Sequence, residues 1–599
     1  MFRRPPSVVC VFAAGLLLFG MGCGRTETRA DAPPEEEEPL PVVPPIGPAE
    51  ELDVLLVVDN GFTGGPAQQT LSATVPYMVD RLVNPRCVNG RGQIVDNPGG
   101  PDAPCAVGRR DFASQTDVRL AVISSSIGGH GADTCSPADP DFAPSQDDGA
   151  GLLSRDADGG VVATYDGRGF LAWDPDARQS PPGESGQANF AASIRDVVDG
   201  TGTEGCRYPA PLEAAYRFLV DPEPPVAVRV VDGQARREGV DTSLLEQRAS
   251  FLRPDSAVLV VFVSDRDDCS IRDEGTFFFA AQARRNGEVF RLPPPRAECE
   301  IDPNDPCCRS CGEAQAGCPA DPRCDEGSAL SAAEDPLALR CFEQKRRFGV
   351  DFNYPIERYL EGFRSLEIAD ATGQLVTNPL FAAGRRFERV AVAALTGVPW
   401  PDVAIAPNDL SRGLQPATET PWERLLPQDD GSPPTDPLMV GSRGPRTGAN
   451  PVTGDALAPP QAPPLANPTN GHEHALVDAI QFSCIYPLPT PQNCAGGRCE
   501  CGVAALRDTN PVCQDPDLGS YDELQRFGRA TPAPRLLTLI RDLGPQGVLG
   551  TLCAGPEPNP AAADFGFKPS VDALLRAIRR QLVPFDDDLG SGRNDDARR

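Results

Sequence analysis

Two carboxylates stand where an α/β protein keeps its chemistry. Asp59 ends the apolar run Val54-Leu55-Leu56-Val57-Val58 and is followed by Asn60, Gly61, Phe62, Thr63, Gly64 and Gly65. Asp265 ends a second run, SAVLVVFVS over 256–264, and is followed by Arg266, Asp267 and Asp268. Short apolar runs of this kind read as strands buried on both faces. An acid on a polar loop at the carboxyl end of such a strand is where open sheets place their ligand sites. A third stretch, DGTGTEGC over 199–206, offers the hydroxyls of Thr203 and its rival Thr201 on a glycine turn ahead of a helix.

Other reactive constellations fare worse. The chain has three histidines, His130, His472 and His474. His472-Glu473-His474 lacks the i, i+4 spacing that puts two zinc ligands on one helix face, and reads as a polar helical entrance. Gly183-Glu184-Ser185-Gly186 lies in a loop, not at the strand-turn-helix elbow a nucleophilic serine needs. No glycine-rich phosphate loop ending in Lys-Ser/Thr is present. Asp267 and Asp268 can in principle serve hydrolysis, but the ordinary reading is a loop rim or a solvated tip. The chain is therefore expected not to be an enzyme, with a hydrolase hidden in the insertions as the remote alternative.

The elements that must position Asp59 and Asp265 follow from periodicity. Leu71, Val75, Met78, Val79 and Leu82 have helical spacing over 66–83, with Pro76 as a kink point. Strands are expected at 118–124, 389–395 and 547–553, and helices at 188–198, 211–219, 355–366, 474–482, 535–543 and 570–582. Strands alternating with helices predict a doubly wound, mostly parallel sheet with right-handed crossovers. Between these elements lie aperiodic insertions at about 130–185, 270–345, 399–470 and 485–530, so 51–583 reads as one domain. A split at Pro399 is the alternative, but it would orphan the closing strand and helix.

Bulk composition narrows the partners. The 599 residues carry a formal net charge of −30, and Lys345 and Lys568 are the only lysines. That balance excludes nucleic acid, which needs a basic footprint. Arg3 and Arg4 precede an apolar segment at 8–21, too short for a confident spanning helix, and 1–22 reads as a secretory signal. Its end, Phe19-Gly20-Met21-Gly22-Cys23, resembles a bacterial lipobox. That resemblance implies diacylation of Cys23 and a tethered protein, and Gly24 favours the outer membrane. Residues 23–50 form an acidic, proline-rich tether, and 584–599 an acidic tail. Setting aside Cys10 and Cys23 leaves an even number of the 20 cysteines, best read in an oxidising compartment as disulfides. Cys87 with Cys105 is one plausible pair.

The stretch Asp59-Asn60-Gly61-Phe62-Thr63 resembles the first metal-site loop, Asp-x-Ser-x-Ser, of von Willebrand factor A (vWA) domains. The segments FLRPDSAVLVVFVSDRDDCS, GTEGCRYPAPLEAAYRFL and LVDAIQFSCIYPLP are similar to secreted bacterial vWA-type lipoproteins. The resemblance implies a metal-ion-dependent adhesion site made of Asp59, Thr63, Thr203 and Asp265, holding Mg2+, or Mn2+ or Ca2+, with hard oxygen ligands. Gly61 departs from the pattern by removing one hydroxyl. If the loops meet, a Cys206–Cys269 disulfide would stiffen them, with Cys135 as the alternative partner. The function implied is binding of an envelope or extracellular protein through the top face of the domain. The runner-up is a structural envelope lipoprotein with a vestigial metal site.

Overall fold

Continuous apolar runs form the centre of the molecule. The computed structural model describes residues 49–582 except 91–92, 102, 138, 140–141, 326, 429–430, 554, 556–558 and 580. The signal, Cys23, nearly all of the tether and the tail lie outside the described residues. The strands of the main sheet and of the hairpin over its end are β1 (Leu52–Val58), β2 (Val118–Ser124), β3 (Leu171–Trp173), β4 (Ala257–Val263), β5 (Val390–Thr396), β6 (Cys484–Asn493), β7 (Leu524–Ala530) and β8 (Gly547–Thr551). Six of them make one sheet in the order β8-β5-β4-β1-β2-β3. All neighbours are parallel except β3, which runs antiparallel to β2 at the edge. β1, β4, β5 and β8 are buried at every residue, which is why their sequences are mostly apolar, with Asp53 of β1 the one buried charge among them.

Helices cover both faces: α1 (Gly65–Val83), α2 (Gln187–Asp199), α3 (Pro211–Leu219), α4 (Thr242–Phe251), α5 (Ile356–Arg364), α6 (Pro534–Leu543) and α7 (Lys568–Ile578). α1 packs with α2 and α7, while α3 packs with α4 and α5, and α5 with α6. The α1 helix buries Leu71, Val75, Met78, Val79 and Leu82 as the spacing predicts, and it runs through Pro76 without ending. The fold is thus the expected α/β, doubly wound, mostly parallel sheet. Among the described residues no helix is long and apolar enough to cross a membrane.

Several elements depart from expectation. β3 joins the main sheet from inside the stretch read as an irregular insertion, because three residues carry no detectable period. A hairpin at Ala227–Val231 and Gln234–Glu238, and α4 after it, also escaped the periodicity. Residues 474–482 are irregular, not helical. There the Gln481 side chain accepts from the His474 N–H at 2.9 Å and donates to the His474 carbonyl at 2.8 Å, replacing helical bonds. His472, Glu473 and His474 are fully buried, so they are no polar helical entrance.

All 18 cysteines among the described residues are paired in nine disulfides. Cys87–Cys105 is the expected pair. The Cys206–Cys269 bond is not formed: Cys206 joins Cys135, and Cys269 joins Cys341. These residues share one small apolar cluster, so proximity alone could not choose the partner.

Candidate site at the carboxyl end of the sheet

Register brings three polar residues into one row. Val58 of β1 lies opposite Ser124 of β2 and Val263 of β4, so Asp59, Ser125 and Ser264 follow side by side. The Asp59 Oδ1 atom accepts from the Gly61 N–H at 2.8 Å and from the Ser125 hydroxyl at 3.3 Å. Its Oδ2 accepts from the Ser264 hydroxyl at 2.9 Å. Asp59 is sealed from solvent, at 1% exposure.

Asp265 comes one residue later and is fully buried. Burial pushes its carboxyl pKa up; Arg529 draws it down and Asp59 raises it further. The Arg529 guanidinium lies 3.3 Å from Asp265 Oδ2 and also grips Glu500 at 3.2 Å. Arg529 belongs to β7, whose hairpin with β6 folds over the sheet end. Two ties hold it there: the Thr531 N–H donates to the Asp265 carbonyl at 2.9 Å, and Cys484 of β6 is bonded to Cys553 just past β8. Neither Asp265 oxygen accepts a hydrogen bond, and the Thr63 hydroxyl faces the carboxylate without closing one of good geometry.

Arg266 completes the group. Its Nη2 is 3.8 Å from Asp59 Oδ1 and its Nε is 3.9 Å from Asp265 Oδ1. Gly61 makes this possible: a Cβ on residue 61 would lie 2.1 Å from Arg266 Nη2. The guanidinium fills the volume that a side chain at the missing hydroxyl position would need.

The structure therefore brings Asp59, Thr63 and Asp265 together. Thr203 lies in the adjoining cleft, where its methyl is 3.2 Å from the Cβ position of Gly65. No hydrogen bond joins Thr203 to either aspartate among the described residues. Thr201 is buried and turned back toward the Val197 carbonyl at the end of α2. Asp268 is no solvated tip: buried, it accepts from the Leu212 N–H at 3.1 Å and so caps α3, and it pairs with Arg535 at 3.0 Å. Burial, opposed by Arg535 and reinforced by Asp268, pushes Asp267 up to about 7. Arg266 and Arg529 were not foreseen. Gly61 paired with an arginine directly after Asp265 was the available signal for the first; nothing local marks the second.

As a cation site the donor set divides. Orphaned oxygens on Asp265 and Thr63 suit a hard ion, yet a guanidinium stands within 4 Å of both carboxylates. A divalent ion at about 2.1 Å from such oxygens would face that like charge directly. With Arg266 in place the residues do not fit the ion. Among the described residues no cluster of three or more His, Cys, Asp or Glu side chains is gathered as for a metal.

The histidines are committed elsewhere. His130 Nδ1 lies 2.7 Å from Asp273 Oδ1, and both are sealed. His472 contacts the Tyr521 hydroxyl at 3.1 Å, and burial pulls His474 down to about 3. Comparison with known proteins returns no relative: no family model matches the chain, no curated protein matches it, and no solved structure matches it.

Proposed function

We propose that the chain is a non-enzymatic cell-envelope protein, lipid-anchored at Cys23, that binds a protein partner through the face at the carboxyl ends of the parallel strands, in the manner of a vWA-like domain. The observation that carries this reading is the loop after β1. It leaves Phe62, three residues past buried Asp59 in the sequence, 41% exposed. Exposed aromatic side chains are frequent contributors to protein contacts. A cleft of about 720 Å³ runs alongside, lined by Gln68, Gln146, Thr203, Thr490 and Gln492. Nine disulfides fit an oxidising compartment, which agrees with export. The non-enzymatic part is supported by the three histidines, each buried and engaged by its neighbours.

A photocrosslinking residue at Phe62, with one at Leu375 as control, tests the reading in whole cells. Leu375 is 64% exposed on a separate hairpin. A discrete protein adduct from position 62 alone is expected; equal labelling from both positions, or none, would refute the proposed face.

A further inference from the structure

We propose that Arg266 is the resident cation of this site, a covalently tethered replacement for a dissolved divalent ion. Three independent features converge on its guanidinium. It lies between the two strand-end carboxylates, 3.8 Å from Asp59 and 3.9 Å from Asp265. Its backbone is held by Ser264, whose hydroxyl donates to Asp59 at 2.9 Å and accepts from the Arg266 N–H at 3.3 Å. Its space exists only because residue 61 has no side chain. A serine at 61 would displace the Arg266 guanidinium from this position, so Gly61 is the counterpart of Arg266.

Asp59, Asp265 and Glu500 supply three buried carboxylates, and Arg266 and Arg529 supply two guanidiniums. A like-charged ion entering beside them would have to displace Arg266, whose side chain is 24% exposed to solvent. This inference does not depend on the partner reading, since it concerns only what sits between Asp59 and Asp265.

The test uses Mn2+ as probe, read by electron paramagnetic resonance titration and by thermal shift on the purified intact protein. Wild type, Arg266→Ala and the double variant Gly61→Ser/Arg266→Ala are each compared with the same protein carrying Asp265→Asn, which subtracts ions held by the acidic surface. Wild type is expected to show no Asp265-dependent site. The double variant should bind one Mn2+ at least ~10-fold more tightly than wild type, with Arg266→Ala in between. Asp265-dependent Mn2+ binding by wild type equal to that of the variants would overturn the inference, as would no gain in either variant. If the double variant does not fold, Arg266→Ala alone decides by the same criterion.

Discussion

Asp402 and Asp436 are fully buried side by side, and the Asn450 amide donates to both, at 3.2 Å and 3.0 Å. Burial, reinforced by the hydrogen bond and charge of Asp436, pushes the Asp402 carboxyl up to about 8. Asp436, raised mainly by burial, accepts the Leu438 N–H and serves as the acceptor of the pair. In the unfolded chain Asp402 ionises near pH 4, so between about pH 4 and 8 the folded state holds a proton the unfolded state has lost. Stability must therefore fall as pH rises through that window, at up to ~1.4 kcal/mol per pH unit. Asp402→Asn keeps the shape and an N–H donor toward Asp436 but cannot titrate. Relative to this variant, wild type should lose about 3 kcal/mol between pH 5 and pH 7. Other acids shifted the same way, such as half-buried Asp147 at about 6 and Asp267 at about 7, are present in both proteins and cancel. Urea unfolding of both proteins at the two pH values, disulfides intact, gives the difference directly. A wild-type-to-variant gap that stays constant within ~0.5 kcal/mol would refute the shared-proton argument.

The remaining predictions concern the sheet end and one helix. Gly61→Ala should turn the Arg266 guanidinium outward at a cost of at most ~1 kcal/mol, an effect absent when Arg266→Ala is in the same chain; a double-mutant cycle by urea unfolding measures that coupling. Arg529→Met leaves Asp265 and Glu500 buried without their shared partner and should cost ~3–5 kcal/mol, partly restored by adding Asp265→Asn, as read by chemical denaturation. Asp241 caps α4 by accepting the Leu244 N–H at 3.1 Å, so Asp241→Ala should cost about 1 kcal/mol, seen as a lower Tm in calorimetry.

How much was legible depended on burial. β1, β4 and β5 are sealed on both faces, so each carries an apolar run of five to seven residues, Val54–Val58, Ala257–Val263 and Val390–Leu395, a length that suits a strand better than a helix. The β6 strand hid because Pro487, Pro489 and Pro491 interrupt it, and proline argues against a strand unless the strand is an edge or shifts register; this one shifts between Pro487 and Gln492. Residues 474–482 misled because Leu476, Ile480 and Phe482 have apolar character without helical hydrogen bonding. At the site, Asp59, Thr63 and Asp265 were readable as strand ends and their loop. Thr203 was placed one cleft away because a glycine turn fixes neither the direction nor the reach of its hydroxyl. Arg529 arrives from a distant hairpin, a relation that only tertiary structure expresses.

The disulfides also imply an order of assembly. Six of the nine close loops of 5 to 18 residues, and the other three span 69 to 72. Short loops close on local chain motion and can oxidise before any long-range contact exists. Cys135–Cys206, Cys269–Cys341 and Cys484–Cys553 each bring together segments separated by other elements, and the last links the β6–β7 hairpin to the end of β8. A chain entering an oxidising compartment amino end first would collect its small staples as it emerges. It would seal Cys484–Cys553 only when the last strand has docked, so that this one bond records completion of the sheet and closure of its charged end.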